Sequence, residues 1–154
     1  MKNITIIKHS LGAPLLRLVG VGPHFIPVNA LNQIQNLLQK NSFWAINRDI
    51  NDLKKMLKNS SIIITLWKNR RLVGFGRATS DWTYRAVLWD VIIDKQYQNI
   101  GLGKLLVNTI LEANAIKNVE KVYLMTTNSK EFYKSCGFEE MTSKYVLVTS
   151  RKEL

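Results

Sequence analysis

Residues 97–106 read YQNIGLGKLL, and Gly101 and Gly103 stand where a strand-like run gives way to a helix-like one. A helix start offers unpaired N–H groups and a partial positive charge, so it is a natural place for an anion. Glycine tolerates positive φ and has no Cβ, so the backbone of Gln98, Asn99, Ile100, Gly101, Leu102, Gly103 and Lys104 could close around a phosphate, with Lys104 adding a cation. The same glycines also suit a tight turn that holds no ligand, and the pair alone does not decide between the two. Two nucleotide-motif readings weaken. A dinucleotide fingerprint needs a third glycine where Leu106 stands, and a Walker loop needs a hydroxyl residue where Leu105 follows Lys104.

The elements that would position this loop are legible around it. Leu31, Ile34, Leu37 and Leu38 fall at helical spacing in residues 28–40, as do Ile50, Leu53, Met56 and Leu57 in 49–60. Residues 61–67, 71–80 and 84–94 are rich in β-branched and aromatic side chains and are separated by short turns, which predicts an antiparallel meander. A helix over 102–115, a strand over 121–127, a short helix over 129–137 closing on Gly137 and a last strand over 144–150 follow. Residues 1–27 are less legible. ITII and LLRLVGVG read as strands, but three glycines and three prolines interrupt them. The sum is an α+β chain with a mostly antiparallel, mixed sheet, in which the strands at 84–94 and 121–127, joined through a helix, run parallel if adjacent.

A length of 154 residues predicts one domain, 1–154. The start lacks the long apolar run and small-residue cleavage site of a signal peptide, and no run is long enough to span a membrane, so a soluble, cytoplasmic protein is expected. Cys136 is the only cysteine, which excludes an internal disulfide and a cysteine metal cage; with two histidines and no carboxylate cluster, no metal is expected. The 22 basic residues exceed the 11 acidic ones by a net charge of +11, a field that attracts phosphates. The charge also suits nucleic acid, but no zinc finger, helix-turn-helix or stacking-aromatic strand motif accompanies it, and no specific nucleic-acid partner is expected.

QNIGLG resembles the pyrophosphate loop, Gln/Arg-x-x-Gly-x-Gly/Ala, of the GNAT acetyltransferases, and EFYKSCGF (131–138) resembles their second signature, an aromatic pair followed by Gly-Phe. With LVGFGRA upstream on a meander strand and a helix and strand between the two signatures, the resemblance runs from about Leu57 to Phe138. RLVGFGRATSD and LWDVIID resemble most the cyanobacterial and plastid group that includes serotonin N-acetyltransferase-type and protein-amine acetyltransferases. The resemblance implies a GNAT fold, helices on both faces of the sheet, and a cofactor cleft between two parallel central strands. It implies acetyl-CoA as co-substrate, a primary amine as acceptor (an arylalkylamine such as serotonin, or a lysine or N-terminal amine of a protein), and location in the cytoplasm or plastid stroma. A homodimer is compatible with such a fold. Carried over, Val91, Ile92 and Ile93 would bond the pantetheine arm through their backbone, Gln98 to Lys104 would hold the pyrophosphate, and Asn128 would lie on the other side of the arm. Many relatives have the second-signature Asn seven residues before the Tyr; here Thr126 takes that place and Asn128 stands five before Tyr133.

An amine must be neutral to attack a thioester, yet a lysine-like amine with a pKa of about 10.4 is uncharged in only about one molecule in a thousand at neutral pH. Asp90, a carboxylate on an otherwise apolar strand, is the candidate base, directly or through water; the alternatives are a wet sheet edge or pairing with an arginine. The leaving thiolate needs a proton, and Tyr133, which occupies the family's position, is the candidate acid, with Phe132 pointing to the core. Cys136 reads as a small core residue, and Trp44, Trp67, Trp82 and Trp89 as packing residues or as walls of a substrate cleft. The expected function is acetyl transfer to an amine in a ternary complex; the alternative is a catalytically silent acyl-CoA-binding regulatory domain.

Overall fold

The computed structural model describes residues 3–151. Its first half runs through β1 (Ile4–His9), a π-helical turn at Leu15–Val19, a 3₁₀ turn at Pro23–Phe25, α1 (Ala30–Asn41) and α2 (Ile50–Lys58). The second half contains β2 (Ile62–Lys68), β3 (Arg71–Ser80), β4 (Arg85–Ile93), a 3₁₀ turn at Lys95–Tyr97, α3 (Leu102–Leu111), β5 (Lys121–Tyr123) and α4 (Lys130–Ser135). The five strands form one sheet in chain order, antiparallel from β1 to β4 and parallel between β4 and β5.

Side chains alternate across a strand, and β2 uses both faces. Ile62, Ile64 and Leu66 join Leu102, Leu106, Val107 and Ile110 of α3 in one core. Ile63 and Trp67 join Ile34, Leu37 and Leu38 of α1 and Leu53 and Leu57 of α2 in the other. Helices therefore cover both faces, as the resemblance implies, and each buried Leu or Ile contributes roughly 1.5–3 kcal/mol to that attachment. Asp49 fixes where α2 begins, its carboxylate accepting from the amides of Asn51 (2.7 Å) and Asp52 (2.9 Å).

The differences from expectation lie at the ends. LLRLVGVG is not a strand: Ala13 and Leu16 accept hydrogen bonds from Arg17 and Gly20, and the segment turns over the α1 face with Leu16 fully buried. Residues 144–150 form no strand, and Tyr145 and Leu147 are more than nine-tenths exposed. A three-residue β5 offers too little edge to pair with them. The parallel pair therefore lies toward one side of the described sheet. β5 is shorter than the expected 121–127, and α3 stops at Leu111 because Ala113 bonds back to Ile110, tightening the chain into turns. The single domain expected over 1–154 reaches past the described residues at both ends. Among those residues, no helix is long and apolar enough to cross a membrane.

Candidate active site

β4 and β5 pair only from Arg85–Lys121 to Val87–Tyr123, after which β4 runs on for six residues with no strand on that side among the described residues. The parting is sharpened by a bulge. Phe75 faces Ile92 and Arg77 faces Trp89, so β4 carries one residue more than β3, and Asp90 adopts φ +51° there. Beyond the bulge opens a cleft of about 570 Å³, lined on one side by Val91, Ile92, Ile93, Lys95 and Gln98 and on another by Asn128 and Ser129. The structure thus brings together five of the residues singled out in the sequence: Val91, Ile92, Ile93, Gln98 and Asn128. The ladder leaves backbone groups of β4 available on the open side, which is what an extended amide-bearing ligand would use.

The loop into α3 is built by caps. Asp94 accepts from the Gln96 amide (3.0 Å) and pairs with Arg71 (2.9 Å), holding the 3₁₀ turn at the end of β4. The Gln98 side chain turns back and donates to the Ile93 carbonyl (2.9 Å), so it braces the loop from within. Gly101 is the residue before α3, with φ +87° and open space where a Cβ would stand. The first helical hydrogen bond runs from Leu105 to the Gly101 carbonyl, so the amides of Leu102, Gly103 and Lys104 precede the helix ladder. Asn99, Ile100, Gly101 and Lys104 are exposed. Gly103 has a different reason to be glycine: a Cβ there would meet the ring of Phe132 at 3.1 Å.

Tyr133 is set by the end of α4. The Phe138 amide donates to the Tyr133 carbonyl and the Gly137 amide to that of Lys134, with Gly137 at φ +91°, the paired bonds that close a helix through a left-handed residue. The ring of Phe138 packs edge-on against Tyr133 at 6.0 Å, and Phe132 does the same at 5.0 Å. Burial pushes the phenol up to about 12, with Cys136 adding a smaller push in the same direction, so it stays protonated. Tyr133 does not line the 570 Å³ cleft; it stands one turn beyond Asn128 and Ser129, which do. Thr126 accepts from the Ser129 amide (3.1 Å) and shapes the turn before α4, leaving Asn128 at the wall.

Asp90 is held rather than open. Arg48 Nη1 donates to one carboxylate oxygen at 2.9 Å and Arg77 Nε to the other at 2.7 Å, and the side chain is only 4% exposed. Of the sequence alternatives, pairing with arginine is the one the geometry contains, twice over. A carboxylate with both oxygens bound by guanidinium groups ties β4 to β3 and to the 42–49 segment; it is not positioned as a free proton acceptor.

The third wall of the cleft is Lys40, Asn41, Ser42, Phe43, Trp44 and Ile46, of which the sequence singles out Trp44 alone. Phe43 and Trp44 meet edge to face at 5.0 Å and stay more than half exposed. The signal for this wall is an aromatic pair in a polar stretch between two helices. Trp67 is fully buried, and Trp89 lies under the Arg77 guanidinium at 5.8 Å. Cys136 packs at the margin of the α3 core.

The family model for the GNAT acetyltransferase family matches residues 31–138. An uncharacterized N-acetyltransferase named ycf52 from Pyropia yezoensis is 38% identical over 98 residues, covering 60% of this chain and 56% of its own. A ycf52-like N-acetyltransferase from Prochlorococcus marinus is 36% identical over 113 residues, 70% of this chain and 62% of its own. The chain thus spans little more than half the length of these curated relatives. Among solved structures, a GNAT-family acetyltransferase from Streptococcus pneumoniae superposes with a TM-score of 0.70 at 24% identity, covering 97% of this chain and 99% of that one, a likeness of fold.

Proposed function

Because the chain belongs to the GNAT acetyltransferase family, we propose that it transfers an acetyl group from acetyl-CoA to the primary amine of an aromatic small molecule. The observation that carries this reading is the cleft itself, where the end of β4, Gln98 of the loop that leads to α3 and an exposed aromatic pair line one space. The donor set suits the co-substrate: extended backbone at Val91–Ile93 for an amide-bearing arm, and amides at the start of α3 that lie outside its ladder, with exposed Lys104 beside them, for phosphates. Acetyl-CoA supplies a thioester whose carbonyl takes the amine and whose sulfur leaves.

The side chains of the chain then divide the remaining work. Tyr133, one turn beyond the cleft wall and protonated across the neutral range, would give its proton to the departing sulfur and recover one from water. Asp90 keeps the bulge and its neighbours in place, while the proton released by the amine passes to solvent in the open cleft. Phe43 and Trp44 receive the acceptor's ring. Among the described residues no Asp or Glu lines the cleft, whereas Lys40 and Lys95 do, which disfavours polycationic acceptors such as lysine-rich peptides.

The test is release of free thiol from acetyl-CoA with an arylethylamine, a lysine-bearing peptide and an aminoglycoside, each product checked by mass. Acetylation of the arylethylamine foremost, with KM raised by Trp44→Ala, is the expected result. Preference for the peptide would replace the acceptor class. Tight acetyl-CoA binding without turnover on any amine would leave a silent binding domain in its place.

A further inference from the structure

The segment that carries the aromatic wall, residues 42–49, contains neither helix nor strand. Its start is tied to α1 by Ser42 Oγ donating to the Leu38 carbonyl (2.8 Å), and its end by Gln35 Nε2 donating to the Arg48 carbonyl (2.8 Å). Ala45 is buried beneath it. The charged tie from this segment to the sheet is Arg48 on Asp90.

We propose that Arg48 is a positioning residue for acceptor recognition: its ion pair with Asp90 fixes the Phe43–Trp44 wall against the β4 bulge. This rests on the acetyl-transfer reading for its functional half. Asp90 is the anchored partner. It occupies the extra residue of the bulge and is held from β3 by Arg77, whose guanidinium also reaches Ser60 Oγ (3.4 Å) and lies over Trp89. Arg48, with its side chain 30% exposed and a further contact to Met56 Sδ at 3.7 Å, is the partner that belongs to the irregular segment. Cutting at Arg48 leaves Asp90 still paired with Arg77, so no carboxylate is orphaned; cutting at Asp90 would leave two guanidinium groups without their anion. Arg48→Met is therefore the cleaner test, and Arg48→Lys keeps the charge while losing the planar fork.

Backbone hydrogen exchange of the ligand-free protein, read by mass spectrometry, should accelerate about tenfold at residues 43–48 in Arg48→Met, the scale expected for one half-buried charged hydrogen bond. With an arylethylamine, KM for the acceptor should rise by a similar factor, KM for acetyl-CoA should not move, and Arg48→Lys should recover part of both effects. Unchanged exchange at 43–48, or equal rises in both KM values, would overturn the proposal. The exchange experiment needs no acceptor, so loss of the tie is read separately from failure of acetyl transfer, which would appear as a wild-type protein without turnover.

Discussion

Gly103 lies against Phe132: a methyl group on the glycine would stand 3.1 Å from the ring's Cζ, closer than such carbons ordinarily approach. Two positions away, Gly101 has all the room a side chain could need but holds φ at +87°. The two glycines of one loop thus answer different demands, one of space between α3 and α4 and one of backbone angle.

Gly103→Ala and Gly101→Ala should therefore both destabilise the protein by about 1–2 kcal/mol, for unlike reasons. The difference shows at the second site. Gly103→Ala displaces the Phe132 ring and with it Tyr133, which should perturb near-ultraviolet circular dichroism and lower turnover, whereas Gly101→Ala should weaken acetyl-CoA binding by calorimetry. Identical behaviour of the two variants would refute the division.

Tyr133→Phe should lower kcat about 100-fold, in the range usual for removing a general acid, while acetyl-CoA affinity stays unchanged. The phenol's pKa is raised by burial to about 12, so the neutral form is retained through the whole working range. The wild-type rate should therefore show no loss from its ionisation below about pH 10, rising with pH as the acceptor amine loses its proton. A descending limb near pH 9 in the wild type that is absent from the variant would contradict this.

His9 makes a prediction away from the site. Its Nε2 is 2.8 Å from Thr65 Oγ1, which also accepts from Trp67 Nε1 at 2.8 Å, and burial lowers its pKa from 6.5 to about 4. The folded state resists the proton and the unfolded chain does not, so stability is full above pH 6.5 and falls as pH drops toward 4. Between pH 7 and pH 5 the loss should be about 2 kcal/mol in urea unfolding, and His9→Gln should flatten that part of the profile. An equal slope in the variant would remove His9 as its source.

The helices over 30–41 and 50–58, the meander and the parallel return were legible because each rests on a local period of apolar residues. The glycine loop and Gly137 were legible because positive φ selects a residue type. What escaped depends on contacts distant in sequence. Arg48 and Asp90 are 42 residues apart, and nothing in LWDVIID tells a free carboxylate from one bound by two arginines. The bulge that places Asp90 is a miscount between two strands, invisible in either alone. The tail at 144–150 has the composition of a strand without an edge long enough to receive it.

The parting of β4 from β5 leaves a row of peptide groups without a neighbouring strand. A molecule that lies along them adds bonds the folded chain otherwise lacks, and by mass action it makes unfolding harder. Thermal resistance should therefore rise with occupancy. The loaded form should outlast the empty one under a protease.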